Sequence, residues 1–105
     1  MKFNSQICTT REQSERLIAL GLKKETADCC YYYYDGEYLI AFAEDAKYPS
    51  DIPAWSLHRL IEIVAHTQYP YYVISKELPI YDALCERVEW LIKEGYFPNE
   101  YLKKM

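Results

Sequence analysis

Signatures of known chemistry are scarce in this 105-residue chain. No apolar run approaches the ~20 residues that a membrane-spanning helix needs. Met1 to Arg11 contains no apolar stretch of the kind a secretory leader carries, so export is not expected. The four cysteines, Cys8, Cys29, Cys30 and Cys85, nowhere form a C-x-x-C pair, which removes the signature of zinc ribbons and thioredoxin-like sites. Cys29 and Cys30 are adjacent and badly placed to bond to each other. The expectation is four reduced thiols, mostly buried as small hydrophobes, in a cytoplasmic protein. A G-x-S-x-G elbow, a phosphate loop and a dinucleotide fingerprint are all missing.

Positive charge is also sparse. The net charge is −4, and residues 31–52 carry Asp35, Glu37, Glu44, Asp45 and Asp51 against Lys47 alone. Nucleic acid is therefore a poor fit as a partner, because binding a phosphate backbone calls for clustered Lys and Arg. No membrane partner is expected either.

What is present suits a globular core. Half of the residues are hydrophobic, and a chain of this size is expected to form a single compact domain over 1–105. Thr9 and Thr10 offer N-caps with Glu12 and Gln13 three residues on from each, so a helix is expected over about 10–20. Gly21 stands where the helix must turn off with positive φ, and Leu22 can fold back onto Leu17. Tyr31 to Tyr34, Asp35-Gly36 and Glu37 to Ala43 read as strand, two-residue turn and strand. That register pairs Tyr34 with Glu37, Tyr33 with Tyr38 and Tyr32 with Leu39. Tyr31, Tyr33, Tyr38, Ile40 and Phe42 then share the face expected to meet the core, leaving Tyr32, Tyr34 and Glu37 on the polar face.

A polar connection over 44–51 leads to a second helix expected to start near Asp51, with Pro53 in its first turn. Leu57, Leu60, Ile61 and Val64 make its buried stripe. Residues 69–75 read as a third strand, restricted by Pro70 to an edge or to starting there. A third helix opens near Pro79, with Tyr81, Leu84, Cys85, Val88, Leu91 and Ile92 facing inward until Gly95. The fold class is α+β. A small three-stranded sheet (hairpin plus one strand) carries about three helices on one face, in the order α-β-β-α-β-α.

Three stretches carry a family likeness. One is Thr9-Thr10-Arg11-Glu12-Gln13-Ser14 with Leu20-Gly21-Leu22 and Thr26-Ala27-Asp28; another is Asp51-Ile52-Pro53-Ala54-Trp55-Ser56-Leu57; the third is Glu89-Trp90-Leu91-Ile92 through Gly95 to Glu100-Tyr101-Leu102. On these the chain resembles a family of short proteins from gut-dwelling anaerobic Gram-negative bacteria and their phages and mobile elements. The Ile-Pro-Ala-Trp-Ser block is the most specific part. Relatives often run longer between the first helix and that block. No activity transfers with the resemblance. It implies a cytoplasmic accessory protein, and its setting favours an interaction role by association.

Candidate chemistry is thin. His58, Glu62 and His66 fall at i, i+4 and i+8, a spacing able to present two ligands to a transition metal, or simply a solvated helix face. A cysteine nucleophile would need a histidine base in space, whereas Cys85 reads as part of an apolar helix face. Glu86, Glu89 and Glu94 read as solvating charge. No cofactor is expected. Twelve tyrosines are the compositional anomaly. Exposed tyrosines make good contact surfaces, and they can also fill a sheet core. Trp55 is either a staple at the start of the second helix or an exposed anchor. The candidate interaction surface is Tyr32, Tyr34, Glu37 and Trp55. The function expected is a non-catalytic protein-interaction or regulatory accessory module, with a protein partner or a second copy. The alternatives are a small enzyme with a Cys/His or helix-borne His/Glu site and, third, a nucleic-acid accessory factor.

Overall fold

A computed structural model describes residues 6–42, 52–67 and 78–103. The chain has the expected α+β class, with a three-stranded antiparallel sheet and three helices. Among the described residues the elements run α1 (Arg11–Ala19), β1 (Cys29–Tyr34), β2 (Glu37–Phe42), β3 (Ile52–Ala54), α2 (Leu57–Ala65) and α3 (Ile80–Lys93), with single 3-10 turns at Lys24–Thr26 and Asn99–Tyr101.

Local chemistry explains most of the boundaries. Thr10 caps α1 in a full capping box: its hydroxyl accepts from the Gln13 amide at 3.1 Å, and the Gln13 side chain accepts from the Thr10 amide at 2.9 Å. The helix ends in a double reversal, with the Leu22 amide bonding to Leu17 O at 3.1 Å and the Gly21 amide to Ile18 O at 2.9 Å. That geometry needs a left-handed residue, and Gly21 supplies it at φ 99°. Leu22 is thereby folded back beside Leu17, and both are buried. The same pair of bonds closes α3, from Tyr96 to Leu91 and from Gly95 to Ile92.

The hairpin has the anticipated register, with Tyr34 opposite Glu37, Tyr33 opposite Tyr38 and Tyr32 opposite Leu39. Asp35 and Gly36 both take positive φ, 49° and 84°, as a type I′ turn requires. Strand order is β2-β1-β3.

Two expectations change. The second helix does not start near Asp51. Residues 52–54 instead pair with β1 as the third strand of the sheet, and α2 begins at Leu57 under a Ser56 cap. Pro53 is tolerated because β3 lies at the side of the sheet, where a missing N–H costs one bond at most. The strand expected over 69–75 lies outside the described residues.

The second change concerns the core. Among the described residues the helices pack chiefly on one another and, through α1, on β3 rather than across one face of the hairpin. The main core joins Leu17, Trp55, Leu60, Val64, Leu84, Val88 and Leu91. A smaller cluster of Cys8, Cys29 and Ala54, with half-buried Tyr31 against it, is where the sheet meets the rest of the protein. In α2 the buried residues are Leu60, Ile63 and Val64, while Ile61 faces out.

Candidate functional site

The β1–β2 hairpin follows from its sequence in two halves. Near Cys29 and Cys30 the side chains are small and buried. Towards the turn they become large, aromatic and exposed. Tyr33 is 64% exposed and Tyr34 66%, with Tyr38 and Ile40 both at 42%; Phe42, at the far end of β2 opposite Cys29, is also 68% exposed. Tyr31, Tyr33, Tyr38, Ile40 and Phe42 do share one face, as the period of two requires. Only Tyr31 meets the core, however, so the expected core role of the other four is overturned. The reason is tertiary: among the described residues the helices pack chiefly on one another and on β3, which leaves these four side chains exposed.

The rings are nonetheless ordered by local contacts. Tyr33 and Tyr38 pack edge to face across the strands, with centroids 5.2 Å apart. The Arg11 guanidinium, from the first residue of α1, sits 4.1 Å from the Tyr38 ring centre, a cation–π arrangement. Asp35 and Glu37 are exposed at the turn.

Of the four residues put forward from the sequence, the hairpin brings Tyr32, Tyr34 and Glu37 to one face, Tyr34 and Glu37 exposed and Tyr32 half-buried. Trp55 does not belong with them. It is 0% exposed at the centre of the main core, so the exposed-anchor reading is corrected. The alternation of the hairpin identified the second, outer row of Tyr33, Tyr38, Ile40 and Phe42, but nothing local in the sequence marks it as uncovered.

Trp55 instead organises a polar latch. Its indole N–H donates to Thr26 Oγ1 at 2.9 Å, and that hydroxyl donates onward to Lys23 O at 2.7 Å. Its backbone exchanges two bonds with Thr9: Thr9 N–H to Trp55 O at 2.8 Å, and Trp55 N–H to Thr9 Oγ1 at 3.0 Å. Buried Ser14 shares the Thr9 hydroxyl at 2.8 Å. The Asp28 carboxylate accepts from both the amide and the hydroxyl of Ser56. Tyr81 closes the far side, donating to Ile7 O at 2.8 Å and accepting from the Leu57 amide at 3.0 Å. Every one of these groups is engaged in holding chain segments together.

The candidate chemistry is not assembled. His58 Nε2 lies 3.2 Å from a Glu62 oxygen, while His66 Nδ1 lies 3.2 Å from the Tyr101 hydroxyl. Among the described residues no group of three or more His, Cys, Asp or Glu side chains could hold a metal ion. None of the four cysteines is in a disulfide. Burial pushes Cys29 and Cys85 up to about 12 and raises Cys8 as well. A nucleophilic cysteine needs the opposite shift. Cys8 donates to the Tyr31 hydroxyl at 3.6 Å, and Tyr31, itself raised by burial, donates to Thr9 O at 2.8 Å.

An open cleft of about 1080 Å³ lies between the end of α1, α2 and the C-terminal segment. It is lined by Lys23, Lys24, Arg59 and Lys103 together with Glu15, Glu25, Glu62 and Glu100, so its walls select no ligand charge. No family model, curated protein or solved structure matches the chain. No helix among the described residues is long and apolar enough to cross a membrane.

Proposed function

We propose that this chain is a non-catalytic protein-interaction or regulatory accessory module, and that its contact surface is the β1–β2 hairpin. One observation carries the reading: Tyr33, Tyr34 and Phe42 of the hairpin are each about two-thirds exposed. Large aromatic side chains left in water are costly unless a partner covers them. Tyrosine suits that purpose, because its rigid ring buries area with little loss of side-chain freedom. The acidic turn disfavours the alternative of base stacking, which calls for flanking Lys and Arg. That the chain resembles short proteins of gut bacteria and their mobile elements favours a cytoplasmic, accessory role for such a module. Self-association through the same surface is the other form the reading takes.

The test is the double substitution Tyr34→Ser/Phe42→Ser. Stability should change by no more than ~0.5 kcal/mol per site, as for other exposed positions. Capture of a partner from host lysate, or dimer formation on a sizing column, should be lost. If wild type and variant retain the same associations, the hairpin is not the contact surface.

A further inference from the structure

The hairpin offers more than aromatic area. Among the described residues β2 is hydrogen-bonded along one edge only, to β1. The opposite side of the sheet is treated differently. There β3 is flanked by the Cys8 segment, through a bridge from Cys8 to Ser56 and the Thr9–Trp55 bond. A strand with one free edge presents a row of N–H and C=O groups ready to pair with an added strand.

Charge narrows what can be added. Between Asp28 and Phe42 the chain carries Asp28, Asp35 and Glu37 and no Lys or Arg. Asp28 is occupied by Ser56, which leaves the two carboxylates at the turn facing solvent. Glu37 shares its face with the exposed ring of Tyr34, its cross-strand partner. A cation placed opposite Glu37 on an added strand would meet a carboxylate and an aromatic ring together. The protein already shows that a guanidinium suits these rings, since Arg11 lies over Tyr38. The residues before and after that cation would point to the other face, against Tyr38, Ile40 and Phe42. An apolar side chain is favoured there. A second copy of this chain fits less well, because its hairpin brings the same two carboxylates and no base of its own.

Resting on the interaction reading above, we infer that the edge of β2 left unpaired among the described residues takes up an extended, arginine- or lysine-bearing segment of a partner protein as a fourth strand. Its cation is placed against Glu37, Asp35 and Tyr34, and its alternate apolar side chains lie on Tyr38, Ile40 and Phe42.

The probe is a displayed library of random peptides long enough to span β2, selected on the full chain. Enriched sequences should carry Arg or Lys next to an alternating apolar pattern. A synthetic peptide of that sequence should protect the outward β2 amides from hydrogen exchange. Asp35→Asn/Glu37→Gln should weaken it about fivefold or more, and added salt should weaken it in the same sense. Asn keeps the positive φ that Asp35 adopts, so the variant should fold; an unchanged thermal midpoint checks this. Acidic or neutral selected peptides, an unaffected carboxylate variant, or no enrichment at all would overturn the inference. So would a wild-type dimer whose β2 amides are protected, since the occupant would then be a second copy. Partner capture that still depends on Tyr34 and Phe42 would in those cases leave the interaction reading standing. Loss of both results removes both.

Discussion

Thr26 and Ser56 each use one hydroxyl in both directions. Thr26 accepts from the Trp55 indole and donates to Lys23 O. Ser56 donates to Asp28 and accepts from the Arg59 amide at 3.2 Å, which also makes it the cap of α2. A buried indole N–H without a partner loses its hydration for nothing in return. Thr26→Val keeps the side-chain shape and removes the acceptor, so it should cost about 1–3 kcal/mol in urea unfolding. Trp55→Ala should cost about 3–5 kcal/mol, because it also empties the centre of the core. If Thr26→Val is neutral, the latch is not what seats the tryptophan. The Ile-Pro-Ala-Trp-Ser block is thus explained by folding: strand, buried ring and cap in five consecutive residues.

At the level of elements, the turn and the helix pair each make a separate claim. Val at position 36 would be forced to positive φ, a conformation that costs a β-branched residue about 1–3 kcal/mol. Gly36→Val should therefore lower the thermal midpoint by roughly 4 °C or more per kcal/mol, whereas Gly36→Asn should be close to neutral. Equal effects would show that the turn does not require the left-handed conformation. Between α1 and α3, Glu89 accepts from Lys93 at 3.0 Å and from Arg16 at 2.7 Å. The Lys93 hydrogen bond, with Arg16 beside it, holds the Glu89 carboxyl below its ordinary range. A lowered native value means that this contribution is whole above the ordinary carboxylate range and is lost as pH falls through the native value. Urea midpoints of wild type and Glu89→Gln should differ at neutral pH and converge in acid. A constant difference across that range would mean the charge is not what matters.

For the molecule as a whole, the thiols report on opening. Cys8, Cys29 and Cys30 are buried, and desolvation keeps Cys8 and Cys29 protonated well above neutral pH. Alkylation of these three should be slow in the native protein and should rise with urea along the unfolding curve, ending at four adducts with Cys85 included. Fast native modification at Cys29 would show that the sheet end opens locally. The C-terminal segment also joins distant parts of the chain: Leu102 bridges Leu22, and the Lys23 amide donates to Tyr101 O at 2.9 Å.

Short-range physics was legible in the sequence. The Thr10 capping box, the Gly21 and Gly95 reversals, the hairpin register around Asp35-Gly36 and the inward face of α3 all rest on contacts within a few residues, so the local pattern is enough to determine them. The α2 start was not legible, because Pro53 reads equally as a first-turn helix residue and as an edge-strand residue. Pairing with β1, more than twenty residues away in sequence, decides between the two. The burial of Trp55 and the exposure of Tyr33, Tyr38, Ile40 and Phe42 had the same cause. Alternation says which side chains share a face, and only the packing of distant helices says which face is covered. Here α1, α2 and α3 close around Trp55 and leave the hairpin rings to solvent.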